Sequence, residues 1–407
     1  MRAVVNLFGI FVVFGIMFLM SKDRKAIKGK IVVKALIAQF IIAFLLVKFP
    51  LGKLIVSKVS QVVTEVLNYG INGITFVFGS LGFAGAPTGF IFATQVLGNI
   101  VFLSSLVGAL YYLGILALIV KVIGKGVGKI LGTSQVESFV AVANMFLGQT
   151  ESPILVSKYL KMMTESEIMV VLVSGMGSMS ATIIGGYVAL GIPMEYLLIA
   201  STLVPLSSIA ISKILYPELE APKNIEEVSM DNKGDNENLI GAVTEGAMNG
   251  MNSAMAIGGS LIAIIGLVAL VNGMLGYIGG IAGMDSLSLE KIFAYIFSPL
   301  GFIMGLTGDD ILLAGQLLGS KLVLNEFVAF QSLGQIITTL GDRTALLLSI
   351  SLAGFANISS MGICIAGIAA LCPEKRGVLS RLVFKAMIGG FAVSVLNAII
   401  VGFITFI

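Results

Sequence analysis

The sequence predicts an all-α polytopic membrane protein with eight transmembrane helices and two re-entrant hairpins arranged as inverted repeats. Three observations support this fold class. The chain has 407 residues, of which 57% are hydrophobic and only 12% are charged, and its mean hydropathy is +1.04. Apolar runs long enough to cross a bilayer recur from end to end. Other apolar stretches are too short to cross and are joined in pairs by a polar break that holds a carboxylate.

The composition excludes several kinds of functional site. There is no histidine, so histidine metal sites, proton relays and histidine-dependent triads are ruled out. The two cysteines, Cys364 and Cys372, lie in one apolar stretch without a CxxC spacing, which favours ordinary packing over metal binding. The net charge is only +3, and basic residues cluster in short loops. This pattern indicates membrane topology rather than nucleic-acid binding.

Basic loops predict the orientation of the first two crossings. Residues 3–20 form crossing 1, and the following loop, 21–30, carries five basic residues against Arg2 alone before the crossing. The positive-inside rule places this loop in the cytoplasm and the N-terminus outside. Crossing 2 (31–48) returns to the outside. Residues 52–69 have one apolar face, which predicts a helix lying along the membrane interface.

A first hairpin is predicted after crossing 3, which occupies roughly 96–121. Residues 134–147 and 153–163 are apolar but short. A helix of fourteen residues rises about 21 Å, whereas the hydrocarbon core is about 30 Å thick. Neither arm can cross alone, so we predict a re-entrant pair, hairpin 1, with its tip at 148–151 near the midplane. An ionisable residue at that depth is a functional-site candidate by default.

The rest of the first half contains a broken helix. Crossing 4 (167–191) is interrupted at 174–182 by small and polar residues, which indicates a break in the helix. Crossing 5 (194–215) then returns to the cytoplasmic side. The hydrophilic stretch 216–238 then predicts a mobile cytoplasmic linker that divides two repeats.

The second half repeats this order. Crossing 6 (about 254–283) is followed by a short interfacial segment, 287–299, and by hairpin 2 (308–334). Asn325 and Glu326 lie at the tip of hairpin 2. A second carboxylate therefore occupies a place equivalent to the one in hairpin 1.

Crossing 7 (345–371) is broken at 354–360, and crossing 8 (382–406) ends outside. Each repeat then has three full crossings, so the two copies have opposite orientations, which is the pattern of secondary transporters. Both termini are predicted outside. The predicted organisation is an N-terminal scaffold of crossings 1 and 2 with the interfacial helix (1–95), a first repeat (96–215), a cytoplasmic linker (216–250) and a second repeat (251–407).

The polar residues at the breaks predict the chemistry of a binding site. They are Gln149, Thr150, Glu151, Asn325, Glu326, Asn357 and Ser360, with Phe355 beside them. The set is rich in acceptors and has no lysine or arginine at the tips, so it suits a neutral solute with several hydroxyl or NH donors, such as a nucleoside or a sugar. Two glutamates would repel a phosphate or carboxylate. A structural carboxyl, neutral or locally paired, is the alternative for each glutamate.

Neutral oxygen ligands are predicted beside the first tip. Asn144 precedes the tip, and Ser178 lies in the break of crossing 4. With freed backbone carbonyls they form a candidate sodium site, although simple capping of exposed backbone explains the spacing equally well. Lys321, in hairpin 2, is interpreted as a structural residue that reaches a carbonyl or the interface.

Three other classes of function stay open at this point. A proton-coupled transporter would use Glu151 or Glu326 as the titrating group. A channel would carry nonsaturating currents far faster than a transporter. An intramembrane enzyme would need a pair such as Asp309 and Asp310, but adjacent residues on a helix point in different directions, and helix capping is the better interpretation there.

Three motifs resemble one transporter family. Residues 319–330 read GSKLVLNEFVAF, which resembles the signature of the concentrative nucleoside transporter family, G/A-x-K-x3-N-E-F followed by small and aromatic positions. GQTE (148–151) and GFANISS (354–360) resemble that family's hairpin-1 tip and crossing-7 break. The resemblance covers essentially the whole chain. The length of the chain is similar to that of the shorter bacterial members of the family.

The resemblance implies a homotrimeric elevator-type symporter in the bacterial cytoplasmic (inner) membrane, with no enzyme activity and no cofactor. Proton-coupled family members tend to lack asparagine at the position of Asn144, so the resemblance favours sodium over protons as the coupling ion. It implies a base contact from crossing 6, for which the sequence suggests no particular residue.

The implied substrate residues are Gln149, Thr150 and Glu151 for the base, Ile183 and Phe355 packing against it, and Glu326, Asn357 and Ser360 for the ribose. The implied sodium ligands are the Asn144 and Ser178 side chains and the Leu147 and Met179 carbonyls.

Overall fold

A computed structural model of the chain describes residues 2–83, 85–222, 236–281, 283–284 and 287–406, and this part of the chain is helical without strands. The N-terminal helices are α1 (Arg2–Leu19), α2 (Gly29–Val47), α3 (Pro50–Phe78), α4 (Phe92–Tyr112) and α5 (Ile115–Leu131). Next come α6 (Gln135–Ala143), α7 (Ser152–Leu155), α8 (Ser157–Leu160), α9 (Glu165–Gly177), α10 (Ala181–Ala189) and α11 (Met194–Leu215). The second half has α12 (Leu239–Ile281), α13 (Leu289–Ile303), α14 (Asp309–Val323), α15 (Glu326–Ile336), α16 (Asp342–Leu352), α17 (Ile358–Leu371) and α18 (Arg376–Ile404).

These helices confirm the predicted fold class. In the described residues, seven helical segments are long and apolar enough to cross a membrane, with α9 and α10 counted as one. The eighth crossing consists of the two half-helices α16 and α17. Hairpin 1 is formed by α6 with α7 and α8, and hairpin 2 by α14 with α15. Both hairpins turn within the protein interior, at the predicted tips.

Crossing 3 does not continue to residue 121 as predicted, because α4 ends at Tyr112. Gly114 follows with a φ of +75°, a left-handed conformation that glycine adopts without steric cost. The basic stretch belongs instead to a separate helix, α5, whose Gly124 and Gly128 face α6. An added Cβ at Gly128 would lie 3.1 Å from the Ser138 Oγ.

Two further helix boundaries differ from the predictions. Helix α3 extends to Phe78, well beyond residue 69. Helix α12 begins at Leu239, so residues 239–250, which the sequence assigned to the linker, are helical. Residues 223–235 of that linker lie outside the described part of the chain. Tertiary packing extends α12, since an added Cβ at Gly250 would lie 2.8 Å from the Val101 Cα on α4.

The interior is centred on three segments. About nine-tenths of the residues in the apolar part of α11, of the α9–α10 segment and of the segment that contains α18 are buried. In α12, only 11% of the residues in the apolar part are buried. Helix α12 packs mainly along α4, and α4 in turn contacts α10. The α4–α12 pair therefore lies beside a larger body that holds both hairpins.

The two broken helices contact each other at their breaks. The Phe355 N–H, in the break between α16 and α17, donates a hydrogen bond to the Ser178 carbonyl, in the break between α9 and α10, at 3.1 Å. Gly354 has a φ of +112°, and an added Cβ would lie 2.7 Å from the Gly177 carbonyl oxygen. Only glycine fits this position without strain.

Replacing Gly354 with alanine is expected to destabilise the protein by at least about 2 kcal/mol, because the left-handed backbone and the backbone clash both oppose the methyl group. Thermal unfolding of the purified variant would measure this loss. Gly362→Ala in α17 is the matched control, since no atom lies within 4 Å of its added Cβ. A Gly354→Ala protein as stable as the control would contradict the close packing of the two breaks.

Candidate functional site

A cavity of about 350 Å³ lies between the two hairpin tips, the two helix breaks and α12. Its volume falls at the lower end of the range for small-molecule sites. Every predicted substrate residue lines it: Gln149, Thr150, Glu151, Ile183, Glu326, Phe355, Asn357 and Ser360. The structure thus brings together residues from both repeats that are up to 211 positions apart in sequence.

Glu326 is held in a fixed orientation at the first position of α15. Its Oε2 accepts a hydrogen bond from the Asn357 Nδ2 at 2.9 Å, and its Oε1 accepts one from the Tyr187 hydroxyl at 3.3 Å. The N-terminal end of α15 also favours a negative charge here. Tyr187 was missed by the sequence analysis, because a tyrosine in an apolar helix carries no signal of its partner.

Both the oxygen and the nitrogen of the Asn357 side-chain amide form hydrogen bonds. It caps the N-terminus of α17, where its Oδ1 accepts hydrogen bonds from the Ser360 N–H at 2.9 Å and from the Ser359 hydroxyl at 2.7 Å. Its Nδ2 must therefore point to Glu326. The capping bonds explain why small polar residues interrupt crossing 7 at this place.

The hairpin-1 tip holds its carboxylate with its own turn. The Glu151 Oε2 accepts hydrogen bonds from the Gly148 N–H at 3.0 Å and from the Ser180 hydroxyl at 3.4 Å. Ser180 caps the N-terminus of α10. Both bonds end on one carboxylate oxygen, which leaves the other available to a ligand.

Gln149 connects the hairpin-1 tip to α17. Its Nε2 donates to the Ser360 Oγ at 3.3 Å, and its Oε1 accepts from the Cys364 Sγ at 3.2 Å. Cys364 was predicted to serve packing alone, whereas its thiol orients a residue of the cavity wall. The cavity also has an apolar side, to which Phe355, Ile183 and Phe327 contribute.

Helix α12 forms one wall of the cavity, and the sequence alone did not indicate which of its residues contact the site. Ser253, Ala256, Ile257 and Ser260 line the cavity at helical spacing, so they form one face of the helix. Two serines on one face of an otherwise apolar crossing were the available signal. The base contact implied from crossing 6 therefore has four candidates, of which Ile257 has the largest apolar side chain.

The four predicted sodium ligands lie in two adjoining segments. Asn144 is fully buried at the end of α6, and its Nδ2 donates to the Val140 carbonyl at 3.1 Å and to the Ser174 Oγ at 2.9 Å. Its Oδ1 has no hydrogen-bond partner in the described residues. A buried acceptor without a donor is a group that a cation would satisfy.

The remaining predicted ligands lie in hairpin 1 and in the break of crossing 4, two segments that contact each other. Ser178 is buried in the break of crossing 4, and its hydroxyl donates to the Gly175 carbonyl at 3.1 Å, so its lone pairs stay available. The Ala181 N–H bonds the Phe146 carbonyl at 2.8 Å, which joins the chain around Leu147 to the chain around Met179. Neutral side-chain oxygens and freed backbone carbonyls are the kind of ligand that sodium takes in transporters with broken helices.

A second cavity, of about 340 Å³, adjoins the first. The two share Glu151, Thr182 and Ser253 in their linings. The second cavity continues along α4 and the first turns of α12, past Glu245 and Asn249. The site therefore opens toward the beginning of α12.

Two half-crossing hairpins and two broken helices that meet at a buried polar cavity define the class of secondary transporters built from inverted repeats. Within that class, three family profiles match this chain. Those described as Na+ dependent nucleoside transporter N-terminus, Nucleoside recognition, and Na+ dependent nucleoside transporter C-terminus match residues 8–81, 93–194 and 196–402. The chain belongs to the concentrative nucleoside transporter family, as its motifs predicted.

Individual proteins agree with this assignment. The nucleoside permease NupC of Helicobacter pylori is 36% identical over 97% of this chain and 96% of its own length. Sodium/nucleoside cotransporter 1 of Mus musculus is 33% identical over 98% of this chain and 63% of its own. CNTnw in an inward-facing substrate-bound state has a TM-score of 0.94 at 36% identity, covering 100% of this chain and 98% of that one. A CNTnw variant in an outward-facing state has a TM-score of 0.95 at 37% identity, covering 100% and 99%.

Proposed function

We propose that this chain is a sodium-coupled symporter that imports nucleosides by alternating access. The observation that carries the proposal is the arrangement of two carboxylates, one from each hairpin tip, around a cavity. The Asn144 amide, which precedes the hairpin-1 tip, also has a buried acceptor for which the described part of the chain offers no donor. Ionised carboxylates accept hydroxyl and NH donors strongly, and a nucleoside carries both. The family to which the chain belongs supports the same substrate class.

The two tips are assigned to the two parts of the nucleoside. Glu326, Asn357 and Ser360 hold the ribose hydroxyls, because Glu326 is already fixed by two donors and presents acceptors at the N-terminal end of α15. Gln149, Thr150 and Glu151 contact polar edges of the base. The ring of Phe355 and the side chain of Ile183 pack against its faces.

Sodium, as the co-transported substrate, would bind the Asn144 and Ser178 side chains and the Leu147 and Met179 carbonyls. These groups belong to hairpin 1 and to the break of crossing 4, the elements that also carry Glu151 and Ser180. A cation there would hold the two elements together and orient the base-binding tip. Sodium and nucleoside would then each increase the affinity for the other.

The fold supports an elevator movement. The α4–α12 pair would stay fixed, since α12 packs mainly along α4, while the body with both hairpins carries the site past it. The second cavity, which opens toward the start of α12, would be the inward route. The largely exposed apolar surface of α12 fits contacts in a homotrimer as well as with lipid. By the positive-inside rule, the protein would lie in the bacterial cytoplasmic membrane with both termini outside.

An enzyme role for the paired aspartates receives no support. Asp309 and Asp310 lie in the first turn of α14, and the Asp310 Oδ2 accepts a hydrogen bond from the Thr344 hydroxyl at 2.6 Å. Neither lines the cavity between the tips.

Uptake of radiolabelled uridine and adenosine into proteoliposomes tests the proposal. We expect saturable accumulation that requires an inward sodium gradient and disappears when choline replaces sodium. Accumulation that follows a proton gradient and ignores sodium would favour the proton-coupled alternative. Nonsaturating flux without counterflow would indicate a channel, and no accumulation of either nucleoside by folded protein would contradict the substrate assignment.

A further inference from the structure

Lys321 is a fully buried charge that the proposed binding roles do not use. It lies in the last turn of α14, and its side chain is 0% exposed. Its Nζ donates to the Ser394 Oγ at 2.7 Å and to the carbonyls of Ser351 and Ala353 at 3.0 Å and 3.1 Å. An ammonium group has three protons, so these three acceptors use all of them.

The acceptors identify what this charge stabilises. Ser351 lies near the end of α16, and Ala353 is the residue that follows that helix at the break of crossing 7. The C-terminal end of a helix carries a partial negative charge and carbonyls without helical partners. In the described part of the chain, Lys321 forms no ion pair. Its charge is therefore compensated by the end of a half-helix, as that of a bound metal cation would be.

Asn144 occupies a comparable place in the other repeat. It directly follows α6, the first arm of hairpin 1, and Lys321 lies in the last turn of α14, the first arm of hairpin 2. Each side chain is fully buried. Each also bonds the first half of the broken helix in its own repeat, Asn144 through the Ser174 hydroxyl at 2.9 Å and Lys321 through the carbonyls at the end of α16.

The two places differ in how their oxygen atoms are satisfied. The Asn144 Oδ1 lacks a partner in the described residues, whereas the Ser351, Ala353 and Ser394 oxygens all accept from one ammonium group. The oxygen at Asn144 can therefore accept a mobile cation. The oxygens around Lys321 already contact a cation that is covalently attached to the chain.

We propose that Lys321 is a tethered cation that takes, in the second repeat, the place that sodium takes in the first, and thereby limits coupling to one sodium ion per nucleoside. This inference rests on the proposed function, because it assumes that sodium binds at Asn144. A neutral, shorter side chain at position 321 would leave three oxygens without a donor and convert the place into a second sodium site.

The test compares Lys321→Asn, which imitates the first repeat, with Lys321→Arg, which keeps the charge. The measurement is the ratio of ²²Na⁺ to labelled uridine taken up by proteoliposomes, together with the Hill coefficient for sodium. We expect ratios and coefficients of about one for the wild type and for Lys321→Arg, and of about two for Lys321→Asn. Thermal unfolding in sodium and in choline gives a second readout, in which Lys321→Asn gains the larger stabilisation from sodium.

Two results would overturn the inference. One is a wild-type ratio of two or more. The other is a folded Lys321→Asn protein that transports with an unchanged ratio of one. If Lys321→Asn unfolds in choline, recovery of folded protein in sodium supports the inference, and failure in both salts overturns it.

The failure of sodium coupling itself would look different. Nucleoside uptake by the wild type that ignores sodium contradicts the proposed function. That result overturns the limit of one sodium ion per nucleoside as well, whereas a sodium-dependent wild type with an unchanged ratio in Lys321→Asn overturns the inference alone.

Discussion

Glu326→Gln is expected to lower kcat/KM for nucleoside uptake at least about 100-fold. Hydrogen bonds to a charged group contribute about 1.5–3 kcal/mol each, and about 1.4 kcal/mol corresponds to a factor of ten. Glutamine also satisfies its neighbours in only one orientation, with its Oε1 toward Asn357 and its Nε2 toward the Tyr187 hydroxyl. The Asn357 Nδ2 must point to position 326, because its Oδ1 accepts hydrogen bonds from Ser360 and Ser359. A glutamine that turned its Nε2 toward Asn357 would place two donors against each other.

Glu374→Gln is the matched control for this substitution. Glu374 is exposed and pairs with Lys161 at 2.8 Å, and exposed ion pairs contribute little. Uptake of uridine over a range of concentrations measures both variants, and size-exclusion chromatography checks that each is folded. Transport by Glu326→Gln at the rate of the control would contradict the assignment of Glu326 to the ribose.

Asn144→Leu is expected to abolish the dependence of uptake on sodium. Leucine has a similar size but offers no oxygen ligand, so the proposed site loses a buried side-chain acceptor for which the described residues offer no donor. Because coupling is reciprocal, nucleoside binding should then fall to the level that the wild type shows in choline. The measurement is the uridine dissociation constant of purified protein in sodium and in choline.

Asn99→Leu in α4 is the control for loss of a buried amide. Its Nδ2 donates to the Gln95 carbonyl at 2.9 Å, and its Oδ1 likewise lacks a partner in the described residues. The other proposed sodium ligands, Leu147, Ser178 and Met179, are not on α4. We expect Asn99→Leu to retain sodium dependence. Retention by Asn144→Leu as well would contradict the proposed sodium ligands.

The hairpins and helix breaks could be predicted because their signals are local. Arms too short to cross, joined by GQTE or by Asn325–Glu326, have few alternatives in a membrane. The boundaries of α4 and α12 could not be predicted, because long-range packing determines them. Gly114 ends α4 where α5 turns to pack on α6, and the first turns of α12 are helical where Gly250 lies against α4.

The same distinction applies to the site. Residues at the breaks were identifiable, since a polar side chain in an apolar segment needs a reason. Tyr187 and Cys364 were not, because each lies in an ordinary apolar helix and becomes part of the site only through a partner more than 100 positions away. The serines of α12 were visible in sequence, but nothing local showed which side of that helix faces the hairpins.

The most direct test of the account is uridine binding to the purified wild-type protein across a series of sodium concentrations, with choline keeping the ionic strength constant. The account predicts that the uridine dissociation constant falls as sodium rises, and that uridine increases the affinity for sodium by the same factor. A uridine dissociation constant that is unchanged across the whole series would contradict it.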